Sequence, residues 1–262
     1  MHPKKAAIYK KLQLMRDSLL QKQENLNQGG SLQTYRSLAI PAQQDGENIL
    51  IWSDAFQRAL SENQVVHIPA SETPYYIDRP ILIPSGRRIE ADDGAVIRLK
   101  KGIRTLMFRN EHVHDGTHAP VPDHDRDADI CITGGRWEEC LDHRTGYGRT
   151  GMIDPERSFF GVSTAMFFNN LDGLILENMT FAHTGGFAVQ IGDIRNVLCR
   201  NISFEECYAD GLHINGNTEN LWAENIHGQC GDDLVALNAY DWQNSSVDFG
   251  PIRCVLCDNL VL

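Results

Sequence analysis

Four short segments in the second half of the chain decide its fold: Leu174-Ile175-Leu176-Glu177-Asn178, Val197-Leu198-Cys199-Arg200-Asn201, Leu221-Trp222-Ala223-Glu224-Asn225 and Val255-Leu256-Cys257-Asp258-Asn259. Each is followed by an apolar residue, Met179, Ile202, Ile226 or Leu260. The asparagines recur after 23, 24 and 34 residues, a period at which each unit buries its apolar face against its neighbours. Between the copies, Val189 and Ile191 flank Gln190, Leu212 and Ile214 flank His213, and Leu234 and Ala236 flank Val235. That alternation is the period of a strand, with one set of side chains facing in and the other out. Short strands separated by Gly, Asn and Asp, each returning to one place after a coil, predict an all-β parallel β-helix.

Asn178, Asn201, Asn225 and Asn259 then fall at one edge of successive coils. An amide at an inward bend can bond the backbone and the amide of the next coil, so these four are read as a structural ladder rather than as ligand contacts.

Working outward, Lys4 to Asn25 places Ala7, Leu12, Leu14, Met15, Leu19 and Leu20 among charged residues, which suits an amphipathic helix. Gln28-Gly29-Gly30-Ser31 breaks it. Asp54 to Leu60 reads as a short capping helix, with Ser53 as its N-cap, over the open end of the solenoid. From Val65 the period changes to two: Val65–Ile68, Tyr75–Ile77, Ile81–Ile83, Ile89–Ala91 and Val96–Leu99 are expected as the first rungs. The division that follows is an N-terminal helical extension over residues 1–40 and a β-helix domain over 41–262. Arg109 to Asp129 carries His112, His114, His118, His124 and five aspartates. Its irregular spacing lacks a zinc pattern, so a solvated loop is expected there and no metal.

The 262 residues suffice for a sizeable core, and the formal charge of -11 argues against a nucleic-acid or anionic-membrane partner. Met1-His2-Pro3-Lys4-Lys5 leads into no apolar h-region, and no stretch reaches the length of a membrane span. With seven cysteines, several of them at strand positions, reduced thiols in a cytoplasmic protein are the expectation; a secreted protein trimmed of its signal would look the same.

The chemistry concentrates between the repeat copies. Aligning Gly211-Leu212-His213-Ile214 with Asp233-Leu234-Val235-Ala236 sets Asp210 over Asp232, one rung apart. Stacked strands are ~4.8 Å apart, so Asp210, Asp232 and Asp233 should share one cluster. Carboxylates so close cannot all ionise in their usual range, and at least one is expected to hold its proton and serve as a general acid. Glycoside hydrolysis needs such an acid on the leaving oxygen and a second carboxylate to activate water. Asp210-Gly211 and Gly231-Asp232-Asp233 also suit turns, and the trio also suits a divalent cation.

The stretch from Asn196 to Leu237 resembles the polygalacturonases, glycoside hydrolase family 28 of the pectin lyase-like superfamily. Tyr208-Ala209-Asp210-Gly211-Leu212-His213 matches the family's Asn-Thr-Asp-Gly-apolar-Asp segment, and Gly231-Asp232-Asp233 its Gly-Asp-Asp one rung later. The resemblance implies a right-handed parallel β-helix and an inverting hydrolase without cofactor. It implies Asp232 as general acid and Asp210 with Asp233 as the groups that position and activate water. Asp45-Gly46, His67-Ile68-Pro69 and Ile83-Pro84-Ser85-Gly86 look like the start of such β-helices. The family's later Gly-His-Gly and Arg-Ile-Lys segments have no match in this chain, so the β-helix is expected to be C-terminally incomplete, with self-association through its last strand.

The last repeat step is longer by about ten residues. The added Asn238 to Gln243 segment should hang over the cleft, where Tyr240 and Trp242 could serve as a platform for a sugar ring. Gln190 and His213, on the same rung face, are candidates to bind substrate hydroxyls. The reading is a glycoside hydrolase of a poly- or oligosaccharide; the alternatives are a non-catalytic carbohydrate-binding β-helix and a polysaccharide lyase using Arg253 as base.

Overall fold

The repeat copies lie directly over one another. In the computed structural model, which describes residues 3–103, 105–113, 119–120, 122–139, 152–154, 157–158, 164–241 and 247–262, Leu174 pairs with Val197, Val197 with Leu221 and Leu221 with Val255. All three pairings are parallel.

In chain order the elements begin with helix α1 (Pro3–Glu24), strands β1 (Gly29–Ser31), β2 (Ile40–Gln44) and β3 (Glu47–Ile51), and helix α2 (Ser53–Glu62). There follow β4 (Val65–Ile68), β5 (Tyr75–Ile77), β6 (Ile81–Ile83), β7 (Arg87–Leu99), β8 (Phe108–Asn110) and β9 (Asp127–Glu138). Then come β10 (Met152–Asp154), β11 (Arg157–Ser158), β12 (Thr164–Ala182), β13 (Phe187–Cys207), β14 (Leu212–Asn215), β15 (Thr218–Cys230), β16 (Val235–Asn238) and β17 (Ile252–Val261). Among the described residues one 15-stranded sheet runs along the path β16-β14-β13-β12-β9-β7-β5-β3-β2 and does not close on itself. Its pairings are parallel except the β2–β3 hairpin; β10 and β11 pair apart from it.

Within a repeat copy each position has a separate environment. The first and third residues enter the main core: Leu174, Val197 and Leu221 form one buried row, and Leu176, Cys199 and Ala223 another. The second residues point away from that core, yet they too are apolar: Cys131, Ile175, Leu198 and Trp222 form a separate cluster closed by Leu12, Met15 and Leu19 of α1. The N-terminal helix is therefore a flank cover, touching β9, β12, β13, β15 and β17.

The asparagine ladder is present, with Asn201 donating to Asn178 at 2.8 Å, Asn225 to Asn201 at 3.0 Å and Asn259 to Asn225 at 2.8 Å. It stands on the surface rather than at an inward bend. Each of the four residues has φ between 53° and 56°, a left-handed conformation that asparagine tolerates better than other side chains. A second ladder, not anticipated above, runs from Asn220 to Asn196 to Asp172.

At the other end of the molecule, α2 turns Ala55, Phe56, Ala59 and Leu60 into the core. Trp52, Tyr75, Phe56, Phe108 and Trp137 follow one another there in edge-on contacts. The expected N-cap is displaced by one residue. Trp52 holds that position without a side-chain bond, because the Ser53 hydroxyl is engaged with Asp78, donating at 2.7 Å and accepting from its amide at 3.0 Å. Gly29–Ser31 is likewise more than a break: it pairs in parallel with β4, joining the residues after α1 to the sheet.

Candidate active site

Asp210, Asp232 and Asp233 come together. One carboxylate oxygen from each lies within 4.8 Å of the others. Two backbone features bring this about. β14 pairs with β16 in the register Leu212 to Val235, so the residue beside Asp210 is Asp233, not Asp232; the alignment of apolar residues above is off by one. The Gly211 amide donates to the Asp233 carbonyl at 2.9 Å, and the Asp233 amide donates to Asp210 Oδ1 at 3.1 Å. Gly231 then lets the next coil approach: a Cβ there would lie 2.1 Å from the Tyr208 carbonyl oxygen.

The three carboxylates differ in surroundings. Asp210 is buried, whereas Asp232 and Asp233 are exposed. The other oxygen of Asp210 lies 2.6 Å from His213 Nδ1. His213 is only 2 % exposed and its ring stacks on Phe187, centroids 3.8 Å apart. Its Nε2 side faces Asp241 at 3.7 Å. Burial alone would lower the imidazole pKa, but Asp210 and Asp241 outweigh it and raise it above the usual value. His213 thus lies between the carboxylates of Asp210 and Asp241.

Gln190 is buried as well, donating to Asn215 at 2.9 Å, and Asn215 donates to Asp241 at 2.7 Å. Gln190 and His213 are thus both buried, and each is bonded to side chains of the same network, Gln190 to Asn215 and His213 to Asp210. Tyr240 is 67 % exposed, with φ 51° and its amide donating to the Gly250 carbonyl at 3.2 Å. It stands next to Asp241, whose carboxylate lies 3.7 Å from His213 Nε2. Trp242 lies outside the described residues.

Two neighbours of the site were not singled out as candidate site residues in the sequence. Asn238 sits 3.3 Å from the His213 ring nitrogens, and no repeat pattern singles it out. Glu139 follows the end of β9, and its carboxylate accepts from the Gly185 amide at 2.7 Å. The next residue, Gly186, accepts from the Ala209 amide at 3.3 Å, so Glu139 lies along the edge that carries Asp210. Burial pushes its carboxyl up to about 7.

The His/Asp-rich loop has a different organisation. Asp127 is buried and accepts from Asn110 at 2.8 Å and from the His112 amide at 2.7 Å, with His112 Nδ1 2.9 Å away. The hydrogen bond to Asp127 raises the His112 pKa. His124 is exposed beside Asp125; His114 and His118 lie outside the described residues. Among the described residues, Asp210, Asp232 and Asp233 are the grouping whose geometry could hold a metal ion. Arg253 lies on β17, paired with Glu219 of β15, and is not part of this grouping.

No protein-family profile matches the chain, and no curated protein does. Solved structures do. A family 28 exopolygalacturonase from Yersinia enterocolitica superposes with a TM-score of 0.57 at 15 % identity, covering 79 % of this chain and 44 % of that enzyme. A candidate glycosyl hydrolase from Parabacteroides merdae gives 0.56 at 13 % identity, covering 89 % and 97 %. The Streptococcus pneumoniae surface protein and adhesin PfbA gives 0.53 at 16 % identity, covering 87 % and 61 %. The chain thus spans less than half of the exopolygalacturonase, and at such identities the likeness is one of fold.

Proposed function

We propose that the chain is a right-handed parallel β-helix whose Asp210, Asp232 and Asp233 hydrolyse a glycosidic bond in a poly- or oligosaccharide. The observation that carries this reading is the asymmetry of the trio: one buried carboxylate braced by His213, and two exposed ones beside it. Asp232 is assigned as the acid that protonates the leaving oxygen. Asp210 and Asp233 hold and deprotonate the attacking water. His213 keeps Asp210 oriented and screens it from its neighbours. Tyr240 offers an exposed ring against the C–H face of a sugar, with Trp242 as its proposed companion.

The fold neighbours that act on glycans support the substrate class. The likeness to a surface adhesin supports a second reading, a β-helix that binds without turnover, with a carbohydrate as the proposed ligand. Stereochemistry is a separate matter. The resemblance implies inversion, while carboxylates within 4.8 Å are closer than the ~6.5–9.5 Å usual for inverting pairs; the anomer first formed, read by NMR, assigns it.

The test is reducing-end release from a panel of neutral and acidic oligosaccharides by the wild type and by Asp232→Asn. Expected is turnover that falls by about 10²-fold or more in the variant, with binding of the same sugar retained. Undiminished hydrolysis by Asp232→Asn would remove that residue as the acid. Binding without hydrolysis in the wild type would select the second reading.

A further inference from the structure

Two thiols that the carbohydrate reading does not use end the strands that lead into the turns of the aspartates. Cys207 ends β13 and Cys230 ends β15, and the two are register partners in parallel strands. An irregularity after Phe204 makes them so: Phe204 pairs with Gly228, and the extra residue in β13 shifts the following pair to Cys207 with Cys230. Neighbouring parallel strands hold partner Cα atoms ~4.8 Å apart, inside the ~4.4–6.8 Å that a disulfide spans. Cys207 is 4 % exposed, while Cys230 is partly open to a surface pocket shared with Glu205 and Gln229.

We propose that Cys207 and Cys230 form a cross-strand dithiol site that a peroxide converts into a disulfide. The bond would tie the turn at Tyr208-Ala209-Asp210 to the turn at Gly231-Asp232-Asp233, each of which begins one residue after its cysteine.

The chemistry is selective within the chain. The neighbouring Cys230 thiol, outweighing burial, holds the Cys207 thiol below its ordinary value. The same contact, together with burial, holds the Cys230 proton tightly. Cys131 and Cys199 are pushed up to about 12 by burial and are poor nucleophiles. In the first step the Cys207 thiolate attacks one peroxide oxygen; an S–O bond forms, the O–O bond breaks, and hydroxide leaves and is protonated to water. In the second, the Cys230 sulfur attacks the sulfenic sulfur; the S–S bond forms, the S–O bond breaks, and the Cys230 proton leaves with the oxygen as a second water. Two thiols lose two electrons and the peroxide gains them.

The experiment needs no knowledge of a glycan. Folded wild-type protein is treated with hydrogen peroxide, alkylated under denaturing conditions, digested and mapped by mass spectrometry. Expected are a Cys207–Cys230 linked peptide, reversed by dithiothreitol, and alkylated Cys131 and Cys199. In Cys230→Ser the sulfenic acid should accumulate on Cys207 and be trapped by dimedone. Recovery of Cys207 and Cys230 as alkylated thiols, at a peroxide dose that oxidises the exposed Cys257, would overturn the proposal. So would sulfinic acid at either position without a link. The wild-type map stands whether or not the variant folds.

Discussion

The raised pKa values of His213 and Glu139 predict a fold stability that depends on pH, both in the same direction. The folded pKa of His213 is raised, because Asp210 and Asp241 outweigh the cost of burial. Its contribution to stability is therefore fully present below the unfolded value of ~6.5 and is lost as pH rises through the folded value. The melting-temperature gap between wild type and His213→Asn should be widest at pH 5 to 6 and narrow above 6.5. A gap that stays constant from pH 5 to 9 would show that the imidazole binds its proton no more tightly in the fold than in the unfolded chain. Glu139 is raised to about 7 by burial, so between its unfolded value of ~4.3 and 7 the folded state binds the extra proton, and stability falls as pH rises. Glu139→Gln should match the wild type at pH 4 and exceed it at pH 8 by about 1–2 kcal/mol, a figure discounted because part of the residue surface is exposed. A urea midpoint at pH 8 no higher than that of the wild type would contradict this. The sequence brought His213 to notice as an outward residue on a strand. It could not show that Phe187 and the segment ending in Asp241 would bury it, because that contact depends on chain distant in sequence.

The repeat copy was the most legible element, and its asparagine shows why. A left-handed bend recurring at a fixed step needs a residue that tolerates positive φ, and an amide also spans the ~4.8 Å between coils. Asn201 does both, at φ 53°, donating to Asn178 and accepting from Asn225. Asn201→Gly keeps the bend and removes the bonds, so it should cost about 1 kcal/mol; Asn201→Ala loses both and should cost about 2–3 kcal/mol. Equal costs in denaturant titrations would mean that the ladder, not the backbone, carries the whole effect. The strand register was less legible. Apolar alternation around Leu212 and Leu234 suggested a 22-residue step, while the backbone takes 23, since Gly231 and Asp233 set the approach of the coils through main-chain contacts that a hydrophobic pattern does not encode.

Across the whole molecule, the placement of α1 follows from a feature of the repeats that alternation alone overlooks. A solvated outer face would carry polar residues at the second position of each copy, yet Ile175, Leu198, Trp222 and Leu256 stand there. Three apolar residues in succession mark strands covered on both sides. The cover is α1, whose Leu12, Met15 and Leu19 close on Cys131, Ile175, Leu198 and Trp222. Tyr9 and Arg16 approach the Trp222 ring at 5.7 Å and 5.0 Å. The ion pairs Lys11–Glu219 and Lys22–Asp129 at its edges are exposed and add little, so apolar burial holds the helix. Leu12 is fully buried, and Leu12→Ala should cost about 2–4 kcal/mol. Leu12→Asp combined with Leu19→Asp should release the helix while leaving the main core intact. Expected are far-UV circular dichroism that retains the β signal, increased binding of a hydrophobic dye along the uncovered row, and association at raised concentration. If the double variant binds no more dye than the wild type and melts at the same temperature, then α1 contributes nothing to the stability of the stack, and another segment must shield the row.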